Sequence, residues 1–480
     1  MKLKNILLKQ SMSQKIAVTD GTCALTYEQL YKQSRLNASF IHANIPPRSH
    51  VAILLPNSIS YVVAYCSSLL ADCVIVPIFY KATLEEIVNS INFCDVSLVL
   101  TDDTKMNQLI TGRLDRNLFI MNVNNQEIIQ IGDPQKQPVP HSIKDVVVML
   151  GTSGSTDVPK RVMLSNDNLV ANATDIIRSL DYDSDEVFLV ILPLTMASGH
   201  SSQLIVSLVL GATLYIYTLP FHPKIFFQTI EQNGITTVTV VPSLLKILLN
   251  NQATDLPEMK KLRYICFGGA PADDTILDKI RNSVLRDKFV HMYGQTEATT
   301  RISHLHLSMD WEKLPSVGLP LNNIEVAIKP EKQNEAIGEI LIKGPNVMVG
   351  YYKEENLTLR DGWLPTGDLG YIDDDGYIYI TGRKKNIIIC SGINIYPEEI
   401  ENVICQNKYV KEAVVYGVKN SQYGEIPVAD VVLRNSNTIT PAELTAFCEN
   451  KLSLYKVPTQ FFIVREIKQT YNGKIDRRRV

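Results

Sequence analysis

The sequence predicts an α/β fold: a large N-terminal domain of layered α/β subdomains plus a β-rich subdomain, followed by a small C-terminal α+β domain. The first observation is the length, because 480 residues at about 100 to 200 residues per domain exceed one simple core. The second is an alternation of helix-like and strand-like segments. The third is a change near residue 316 to short strand-like segments separated by Gly and Asp turns. The composition, 45% hydrophobic and 20% charged, is that of an ordinary globular protein.

The N-terminal part alternates amphipathic segments with short apolar runs rich in β-branched residues. These runs are "HVAILLP", "VIVPIF", "VSLVLTD", "DVVVML", "VFLVILPL", "ATLYIYT", "TTVTVVP" and "LRYICFGG". Such runs are typical of strands that are buried on both faces, with helices between them. In "NGITTVTVVPSLLKILLN" we expect a strand, a turn and helix N-cap at Pro242 and Ser243, and then a helix.

Beyond residue 316 the sequence has short strands with Gly and Asp turns, as in "GEILIKG" and "GYIDDDGYIYITG", which predict hairpins. After "TGRKKN" the pattern returns to strand, helix and strand, through "NIIICSG", "YPEEIENVICQ", "EAVVYGV", "VADVVLR", "PAELTAFCENKL" and "FFIVREI". We therefore predict a boundary between residues 382 and 385. It separates an N-terminal domain, residues 1–382, from a C-terminal domain, residues 383–480.

Charge and cysteine usage exclude several classes of function. Lys plus Arg number 47 and Asp plus Glu number 50, so a net charge of −3 offers no footprint for nucleic acid or an anionic membrane. Eight cysteines without a C-x-x-C pair indicate buried thiols rather than a disulfide framework or a zinc site. The first residues lack a signal-peptide pattern, and residues 204–219 are interrupted by Ser207, Gly211 and Thr213, which favours a buried helix and strand. We expect a cytoplasmic protein with no nucleic-acid or membrane partner.

The stretch "VVVMLGTSGSTDVPKRVMLS", residues 146–165, has the composition of a phosphate-binding loop. It is not a Walker loop, because Lys160 follows Pro159 and precedes Arg161 instead of standing between Gly and Ser or Thr. A strand opens here into hydroxyls and backbone N–H groups that can converge on phosphate oxygens, with Lys160 to neutralise charge. The candidates are Thr152, Ser153, Gly154, Ser155, Thr156 and Lys160. From the loop alone, an exposed Ser/Thr turn is equally compatible.

Further motifs decide between a phosphate-binding loop and an exposed turn. "LGTSGSTDVPKR" resembles the phosphate-binding signature of the adenylate-forming superfamily: acyl-CoA synthetases, peptide-synthetase adenylation domains and luciferases. In that superfamily's order follow "YGQTE", "GEILIKGPNVMVGYY", "DGWLPTGDLGYID", "GYIYITGRKKNIIICSGINIYPEEIE" and "YNGKIDRR", and upstream "LTYEQL" and "VAILLPNS" fit as well. The resemblance covers nearly the whole chain. It implies attack of a carboxylate on the α-phosphate of ATP, which releases pyrophosphate and leaves an acyl adenylate.

The resemblance also implies roles for single residues. Lys474 in "NGKIDRR" matches the catalytic lysine that bridges the carboxylate and the α-phosphate. Glu297 of "YGQTE" would hold Mg²⁺ and Thr296 would donate to the α-phosphate, so these two are the other catalytic candidates. Without the resemblance, Lys474 would be an exposed lysine near a basic terminus and "YGQTE" only a polar turn.

The remaining implied contacts surround the nucleotide and the acyl group. Asp368 of "TGD" suits the ribose hydroxyls, and Arg383 supplies donors nearby. The acidic run at residues 373–375 is interpreted as a hairpin turn. The other ATP-binding candidates are Gly269, Ala270 and Pro271 of "FGGAP", with Tyr293 and Gly294; the acyl-pocket candidates are Ser198, Ser202, Ala270 and Gly294.

The resemblance further implies that the C-terminal domain is mobile and swings about a hinge at Lys385, so that "CSGIN" comes to face a thiol. Several residues depart from the superfamily pattern. Asp157 and Arg161 replace glycines of the phosphate loop, and Ser391 replaces a frequent glycine. Ser198 stands where amino-acid-activating domains keep an aspartate, which favours an acid without an α-ammonium group. His200, His304 and His306 are interpreted as packing residues rather than metal ligands.

The leading hypothesis is a stand-alone, AMP-forming acid–thiol ligase that uses ATP and Mg²⁺. No carrier domain follows Val480, so its acceptor is either coenzyme A or the phosphopantetheine of a separate carrier protein. The short chain and the polar pocket segment slightly favour the carrier protein. A general acyl- or aryl-CoA synthetase is the alternative within the superfamily. A degenerate relative that binds nucleotide or acyl ligand without turnover is the alternative of another class, and a luciferase-like oxidase is disfavoured because no oxygen-handling pocket is evident.

Overall fold

The structure is a computed structural model of the chain. It describes residues 2–110, 117–131, 145–152, 160–250, 261–270, 272, 274–330, 336–354, 359, 361–390, 393–420, 423–434 and 439–468. Within these ranges, helices and strands follow one another from Leu3 to Ile463, as the α/β prediction requires.

Twenty-six strands are present in the described residues. Strands β1 to β13 are Ile16–Thr19, Ala24–Thr26, His50–Leu54, Val74–Pro77, Val96–Thr101, Leu118–Asn122, Ile128–Ile131, Val146–Gly151, Arg161–Ser165, Val187–Val190, Thr213–Ile216, Thr237–Val240 and Tyr264–Gly268. Strands β14 to β26 are Phe289–Tyr293, Ser303–His306, Leu319–Pro320, Glu325–Pro330, Gly338–Lys343, Gly350–Tyr351, Leu364–Ile372, Ile378–Arg383, Ile388–Cys390, Ile393–Ile395, Val410–Asn420, Gly424–Leu433 and Phe461–Ile463.

Helices separate most of these strands. Helices α1 to α14 are Leu3–Gln10, Tyr27–Asn44, Ile59–Leu70, Leu84–Phe93, Asp103–Ile110, Asn166–Ser179, Ala197–Gly199, Val206–Leu210, Pro223–Gln232, Pro242–Asn250, Asp274–Arg281, Leu307–Asp310, Pro397–Cys405 and Pro441–Glu449. A π-helix, His200–Ile205, joins α7 to α8, and short 3-10 turns include Thr296–Ala298 and Lys384–Asn386.

The strands form four sheets. The first has nine strands in the order β16-β15-β14-β13-β12-β10-β11-β1-β2, and the second has eight in the order β19-β9-β8-β4-β3-β5-β6-β7. The third has the order β17-β18-β20-β21, and the fourth has β23-β22-β25-β24 with β26 beside β25. The β-rich part predicted beyond residue 316 corresponds to the third sheet, and the C-terminal strands form the fourth.

The eight apolar runs in the sequence are all strands of the two large sheets. Strands β3, β4, β5 and β8 pair in parallel in the second sheet, and β10, β11, β12 and β13 pair in parallel in the first. Every residue of β3 and β12 is buried, because helices or the other sheet cover both faces. One apolar core contains residues of both large sheets and of the helices between them, among them Val18, Tyr65, Val148 and Ile176.

The prediction for residues 233–250 is right about the elements and wrong about the boundary between them. Helix α10 begins at Pro242, so Pro242 and Ser243 lie inside the helix instead of forming its turn and N-cap. Proline is favoured in the first turn of a helix, because its missing N–H has no intrahelical partner there and its φ is already helical. The hairpin prediction holds: β20 and β21 pair in antiparallel fashion, and the Asp373 carboxylate accepts from the backbone N–H groups of Asp375 and Tyr377 in the turn.

Candidate active site

The candidate site forms where consecutive parallel strands of the first sheet end. Strands β10, β12, β13 and β14 are neighbours and run parallel, so their carboxyl ends lie at the same edge. Three candidate segments leave the sheet at that edge: residues 191–199 after β10, residues 269–270 after β13 and residues 294–297 after β14. Ligands of open α/β sheets bind at the carboxyl ends of the strands. The three segments are therefore positioned to contribute to one binding site.

Gly294 is required by close packing at this edge. A Cβ atom on Gly294 would lie 1.6 Å from the carbonyl oxygen of Thr300 and 3.0 Å from the Cα of Arg301. By contrast, a Cβ on Gly269 would meet nothing within 4 Å, although its φ of +82° favours glycine. The space next to Gly269 is therefore open for a ligand, whereas the space next to Gly294 is filled by the chain that follows the "YGQTE" motif.

Tyr293, Asp368 and Arg383 form one hydrogen-bonded cluster. The Tyr293 hydroxyl donates to Oδ2 of Asp368 at 2.8 Å, and Nε of Arg383 lies 2.7 Å from Oδ1. The register of the β20–β21 hairpin places Asp368 directly opposite Arg383. Burial raises the pKa of the Tyr293 hydroxyl far above its usual value and the Asp368 carboxylate raises it further, so this tyrosine stays a donor.

Glu297 lies in the 3-10 turn Thr296–Ala298, directly after β14. Its Oε1 accepts a hydrogen bond from the hydroxyl of Tyr351 at 2.8 Å, and its carbonyl oxygen accepts from the backbone N–H of Met348. The half-buried carboxylate keeps oxygen lone pairs available, and carboxylate oxygen is a ligand that Mg²⁺ prefers. The donor chemistry at Glu297 therefore fits a magnesium ion, with Tyr351 orienting the carboxylate.

Lys160 reaches the same region from the second sheet. Its Nζ lies 3.0 Å from the Glu354 carboxylate and 4.4 Å from the centre of the Tyr351 ring. Strand β19, which ends at Tyr351, pairs with β9, which begins at Arg161, so the pairing of these two short strands sets the contact. Lys160 and Glu297 thus share Tyr351 as a neighbour, and the end of the phosphate loop lies next to the candidate metal ligand.

The base of the phosphate loop is closed by a hydrogen bond from the Thr152 N–H to the Lys160 carbonyl oxygen at 3.0 Å. Arg161 does not belong to the phosphate contacts: it is buried, and its guanidinium donates to the carbonyl oxygen of Pro77. Its replacement of a glycine is therefore a feature of packing between β9 and β4. Several predicted residues lie outside the described residues, namely Ser153, Gly154, Ser155, Thr156, Asp157, Pro271, Ser391 and Lys474.

The acyl-pocket candidates Ser198 and Ser202 lie on a distorted helix after β10. Ser198 is in α7 and Ser202 in the π-helix His200–Ile205, a widened turn of a kind that is frequent at functional sites. A Cβ on Gly199 would lie 2.4 Å from the carbonyl oxygen of Pro193, so this glycine lets the helix begin against the preceding loop. Ser198 is half-buried and Ser202 is buried.

His200 is fully buried in this helix. One ring nitrogen lies 2.8 Å from the Tyr65 hydroxyl and the other lies 3.0 Å from the Ser201 hydroxyl. Burial lowers the pKa of His200 to about 3, so the ring is neutral at physiological pH. Within the described residues no group of three or more His, Cys, Asp and Glu side chains could hold a metal ion.

At the predicted hinge, Lys385 lies in the 3-10 turn Lys384–Asn386, directly after β21, and the neighbouring Lys384 pairs with Glu339 at 3.1 Å. The hinge itself remains a prediction. Sequence reasoning missed Tyr351 and Glu354. Tyr351 is the second-last residue of the quoted motif "GEILIKGPNVMVGYY", which is the one signal that could have identified it, whereas Glu354 carries no motif signal.

Two family models match the chain. The model described as "AMP-binding enzyme" matches residues 8–352, and the model described as "AMP-binding enzyme C-terminal domain" matches residues 399–474. In the described part of the chain, no helix combines the length and the apolar character that crossing a membrane would demand.

Curated relatives and solved structures agree with these matches. The chain is 31% identical over 471 residues to a feruloyl-CoA synthase of Amycolatopsis sp., with 96% of this chain and 94% of the relative covered. It is 30% identical over 473 residues to a 2-succinylbenzoate–CoA ligase of Bacillus licheniformis, with 97% and 96% covered. The o-succinylbenzoate CoA synthetase of Bacillus subtilis, solved with its acyl-adenylate intermediate, superposes with a TM-score of 0.85 at 28% identity, covering 98% of this chain and 96% of that one. The same enzyme with ATP and a magnesium ion gives a TM-score of 0.84 at 28% identity, covering 98% of both chains.

Proposed function

Because this chain belongs to the AMP-binding enzyme family, we propose which of its residues carry the family's reaction and which acceptor it uses. The chain is an AMP-forming acid–thiol ligase: it activates a carboxylic acid with ATP, releases pyrophosphate and passes the acyl group to a thiol. The observation that carries our assignment is the convergence of Glu297, Lys160 and the Asp368 cluster around the end of β14.

In the first half-reaction a carboxylate oxygen attacks the α-phosphorus of ATP and pyrophosphate leaves. Two anions have to meet, so the site must supply positive charge and fixed donors. We assign Lys474 to the meeting point of the carboxylate and the α-phosphate, and Thr296 to donation to the α-phosphate. The phosphate loop, Thr152 to Thr156 with Lys160, holds the outgoing phosphates.

The rest of the nucleotide is assigned to the described clusters. Asp368 accepts from the ribose hydroxyls, because each of its oxygens has a free lone pair besides those used by Tyr293 and Arg383. Gly269 and Ala270, with Pro271, flank the adenine and the acyl group across the open space next to Gly269. Glu297 holds Mg²⁺, which neutralises phosphate charge when bound.

In the second half-reaction a thiol sulfur attacks the acyl carbon, AMP leaves and the thiol loses its proton. The acyl phosphate is already activated, so no protein nucleophile is needed. We assign coenzyme A as the acceptor, because the relatives are named as CoA ligases. Those names favour coenzyme A over the separate carrier protein that the sequence slightly favoured. The C-terminal domain, residues 383–480, is proposed to swing about Lys385 between the two half-reactions.

A Lys474→Ala variant tests the assignment of the catalytic lysine. Acid-dependent exchange of labelled pyrophosphate into ATP should fall by about 100-fold or more, because a charge at the developing transition state is lost. Lys468→Ala is the matched control, since Lys468 is an exposed lysine outside the "NGKIDRR" motif. Equal exchange in Lys474→Ala and wild type would contradict the assignment. ATP binding without any exchange in wild type would favour the hypothesis of a degenerate relative that binds nucleotide without turnover.

The acceptor is tested separately by supplying preformed acyl adenylate. We expect thioester formation with coenzyme A, detected as acyl-CoA by mass spectrometry. Transfer only to a purified phosphopantetheinylated carrier protein, with none to coenzyme A, would show that the acceptor assignment is wrong while leaving adenylation intact.

A further inference from the structure

Arg301 is a buried cation whose guanidinium lacks a complete set of partners among the described residues. It follows the "YGQTE" motif by four residues, and its side chain is only 2% exposed. Its Nε and Nη1 atoms are buried and have no hydrogen-bond partner among the described residues. A buried guanidinium is stable only when a counter-charge or several acceptors compensate for its lost hydration, so these two nitrogens mark an incomplete site.

The protein neighbours of the Arg301 guanidinium are mostly uncharged. Its Nη2 contacts the sulfur of Met292. Burial raises the pKa of the Cys266 thiol, against the nearby charge of Arg301, so this sulfur is a neutral thiol. Burial also lowers the pKa of His304 to about 3, and the charge of Arg301 lowers it as well, so His304 is neutral too. These neighbours offer only weak acceptors.

A buried carboxylate lies on α6, but it does not pair with Arg301. Asp175 is 2% exposed; its Oδ1 accepts from Asn323, and its Oδ2 has no partner among the described residues. No ion pair between Arg301 and any carboxylate occurs within the described ranges at 4 Å or less. Among the described residues, no carboxylate therefore neutralises the charge of Arg301 at contact distance.

The backbone of Arg301 packs against Gly294, one of the acyl-pocket candidates, and against helix α6. Gly294 packs on the Arg301 Cα, and Asn172 of α6 donates to the Arg301 carbonyl oxygen at 2.7 Å. The two preceding residues, Thr299 and Thr300, have φ values of +62° and +141°, which are strained for β-branched residues. Strain of this kind clusters at ligand sites, where it is part of how a side chain is positioned.

The side chain also lies behind both loops of the candidate site. Met292 is on β14, two residues before Gly294, and Cys266 is on β13, three residues before Gly269. Both loops leave the sheet at the edge where the acyl group is proposed to bind. The guanidinium thus lies beside the two strands that lead into these loops.

We propose that Arg301 binds a second carboxylate on the acid substrate, at the end remote from the carboxyl group that reacts, so that this ligase prefers dicarboxylic acids. The inference rests on the proposed function, because it places a substrate group in that site. A carboxylate would accept from Nε and Nη1 through charge-assisted hydrogen bonds and would complete the shell of the buried cation. Ser198, which supplies no negative charge, agrees with a substrate whose second group is not an ammonium.

The test uses two acid pairs: hexanoate with hexanedioate, which have the same chain length, and benzoate with 1,4-benzenedicarboxylate, which share the same ring. Acid-dependent pyrophosphate exchange gives kcat/KM for each acid, and the quantity compared is the ratio of the diacid to the monoacid. We expect the wild-type ratio to exceed unity for at least one pair and to fall about 30-fold or more in Arg301→Met, because truncating a buried charge pair is costly. Arg301→Lys keeps the charge and should restore part of the ratio.

Asp175→Asn is the matched control, because it removes a buried carboxylate from α6, the helix that contacts the Arg301 backbone through Asn172. It should leave the ratio unchanged, whereas a ratio that falls equally in Asp175→Asn and Arg301→Met would mean that the two charges stabilise each other structurally. An equal fall of both acids in Arg301→Met, or a wild type that prefers the monoacid in both pairs, would overturn the proposal. Thermal unfolding and ATP binding of each variant separate loss of fold from loss of recognition.

Failure of this inference differs visibly from failure of the proposed function. Pyrophosphate exchange with monoacids but not with diacids would contradict the proposed role of Arg301 and would still support adenylation by this chain. Absence of exchange with every acid tested would contradict the proposed function, and the diacid inference with it.

Discussion

The nucleotide side and the acyl side of the candidate site differ in how their polar groups are satisfied. On the nucleotide side, Asp368 is paired with Tyr293 and Arg383, and Glu297 accepts from Tyr351. On the acyl side, buried atoms of Thr195, Gln203 and Arg301 have no partner among the described residues. Satisfied polar clusters are rigid and specify one geometry, whereas unpaired buried groups are costly unless a ligand completes them.

The difference has a chemical reason. The phosphates, ribose and metal are the same in every turnover of an AMP-forming ligase, so their contacts can be built in advance. The acid differs between relatives, as the names feruloyl-CoA synthase and 2-succinylbenzoate–CoA ligase show for those proteins. We therefore expect substitutions on the nucleotide side to affect every acid alike, and substitutions on the acyl side to affect some acids more than others.

The largest effect on the nucleotide side is expected for Asp368→Asn. The change leaves Arg383, whose side chain is 42% exposed, without its carboxylate partner, and it replaces one acceptor oxygen assigned to the ribose with an amide donor. We expect the free energy of unfolding to fall by about 1 kcal/mol, because solvent screens the exposed guanidinium, and the KM for ATP to rise by about 30-fold or more. Denaturant unfolding and exchange kinetics measure the two effects. Asp374→Asn, in the exposed turn of the same hairpin, is the control, and a normal KM for ATP in Asp368→Asn would refute the ribose assignment.

A smaller effect is expected for Tyr351→Phe. It removes the hydroxyl that donates to Glu297, so the carboxylate is less well oriented and its affinity for Mg²⁺ should fall by about tenfold. The measurement is the Mg²⁺ concentration that gives half-maximal exchange. Tyr352→Phe is a close control, because the Tyr352 hydroxyl also donates to a carboxylate, that of Asp95, at 2.7 Å. An identical Mg²⁺ dependence in both variants would exclude an orienting role for Tyr351.

The smallest effect is expected for Glu354→Gln. Lys160 and Glu354 are both about two-fifths exposed, so their ion pair is worth about 0 to 1 kcal/mol, and breaking it frees Lys160 for phosphate. We expect the KM for ATP to fall by about two- to threefold at low salt, with the difference disappearing at high salt. Glu28→Gln breaks the exposed pair with Lys32 and serves as control. A raised KM for ATP in Glu354→Gln would mean that Glu354 holds Lys160 in place instead of competing for it.

Much of the fold could be predicted because burial on both faces leaves a direct trace in the sequence. The apolar runs of β3 and β5 and the β-branched Thr and Val residues of β12 are such traces, and the structure pairs these strands in parallel with their neighbours. The start of α10 was mispredicted because proline is common both in turns and in the first turn of a helix. The π-helix at His200 could not be predicted, since it results from packing between the helix and its surroundings rather than from a local pattern.

The candidate site shows the same division. Motifs predicted roles for Glu297, Asp368 and Arg383, and these roles stay predictions; the register of β20 and β21 explains how the last two residues meet. The contact of Lys160 with Tyr351 depends on the pairing of β9 with β19, which are almost two hundred residues apart in the chain. Arg301 was not identified because a charged residue after a polar motif is usually exposed, and only the structure shows that it is buried.

The most direct test of the central claim measures two quantities in the same two variants. Pyrophosphate exchange in Asp368→Asn and in Arg301→Met gives the KM for ATP and the diacid-to-monoacid ratio for each. We predict that Asp368→Asn raises the KM for ATP and leaves the acid ratio close to that of wild type, whereas Arg301→Met lowers the acid ratio and shifts the KM for ATP by less than about twofold, since the two groups have no shared partner. If each variant changed both quantities to a similar extent, the central claim would be contradicted. That claim is that the nucleotide contacts are formed within the protein, whereas the acyl contacts are completed only by the substrate.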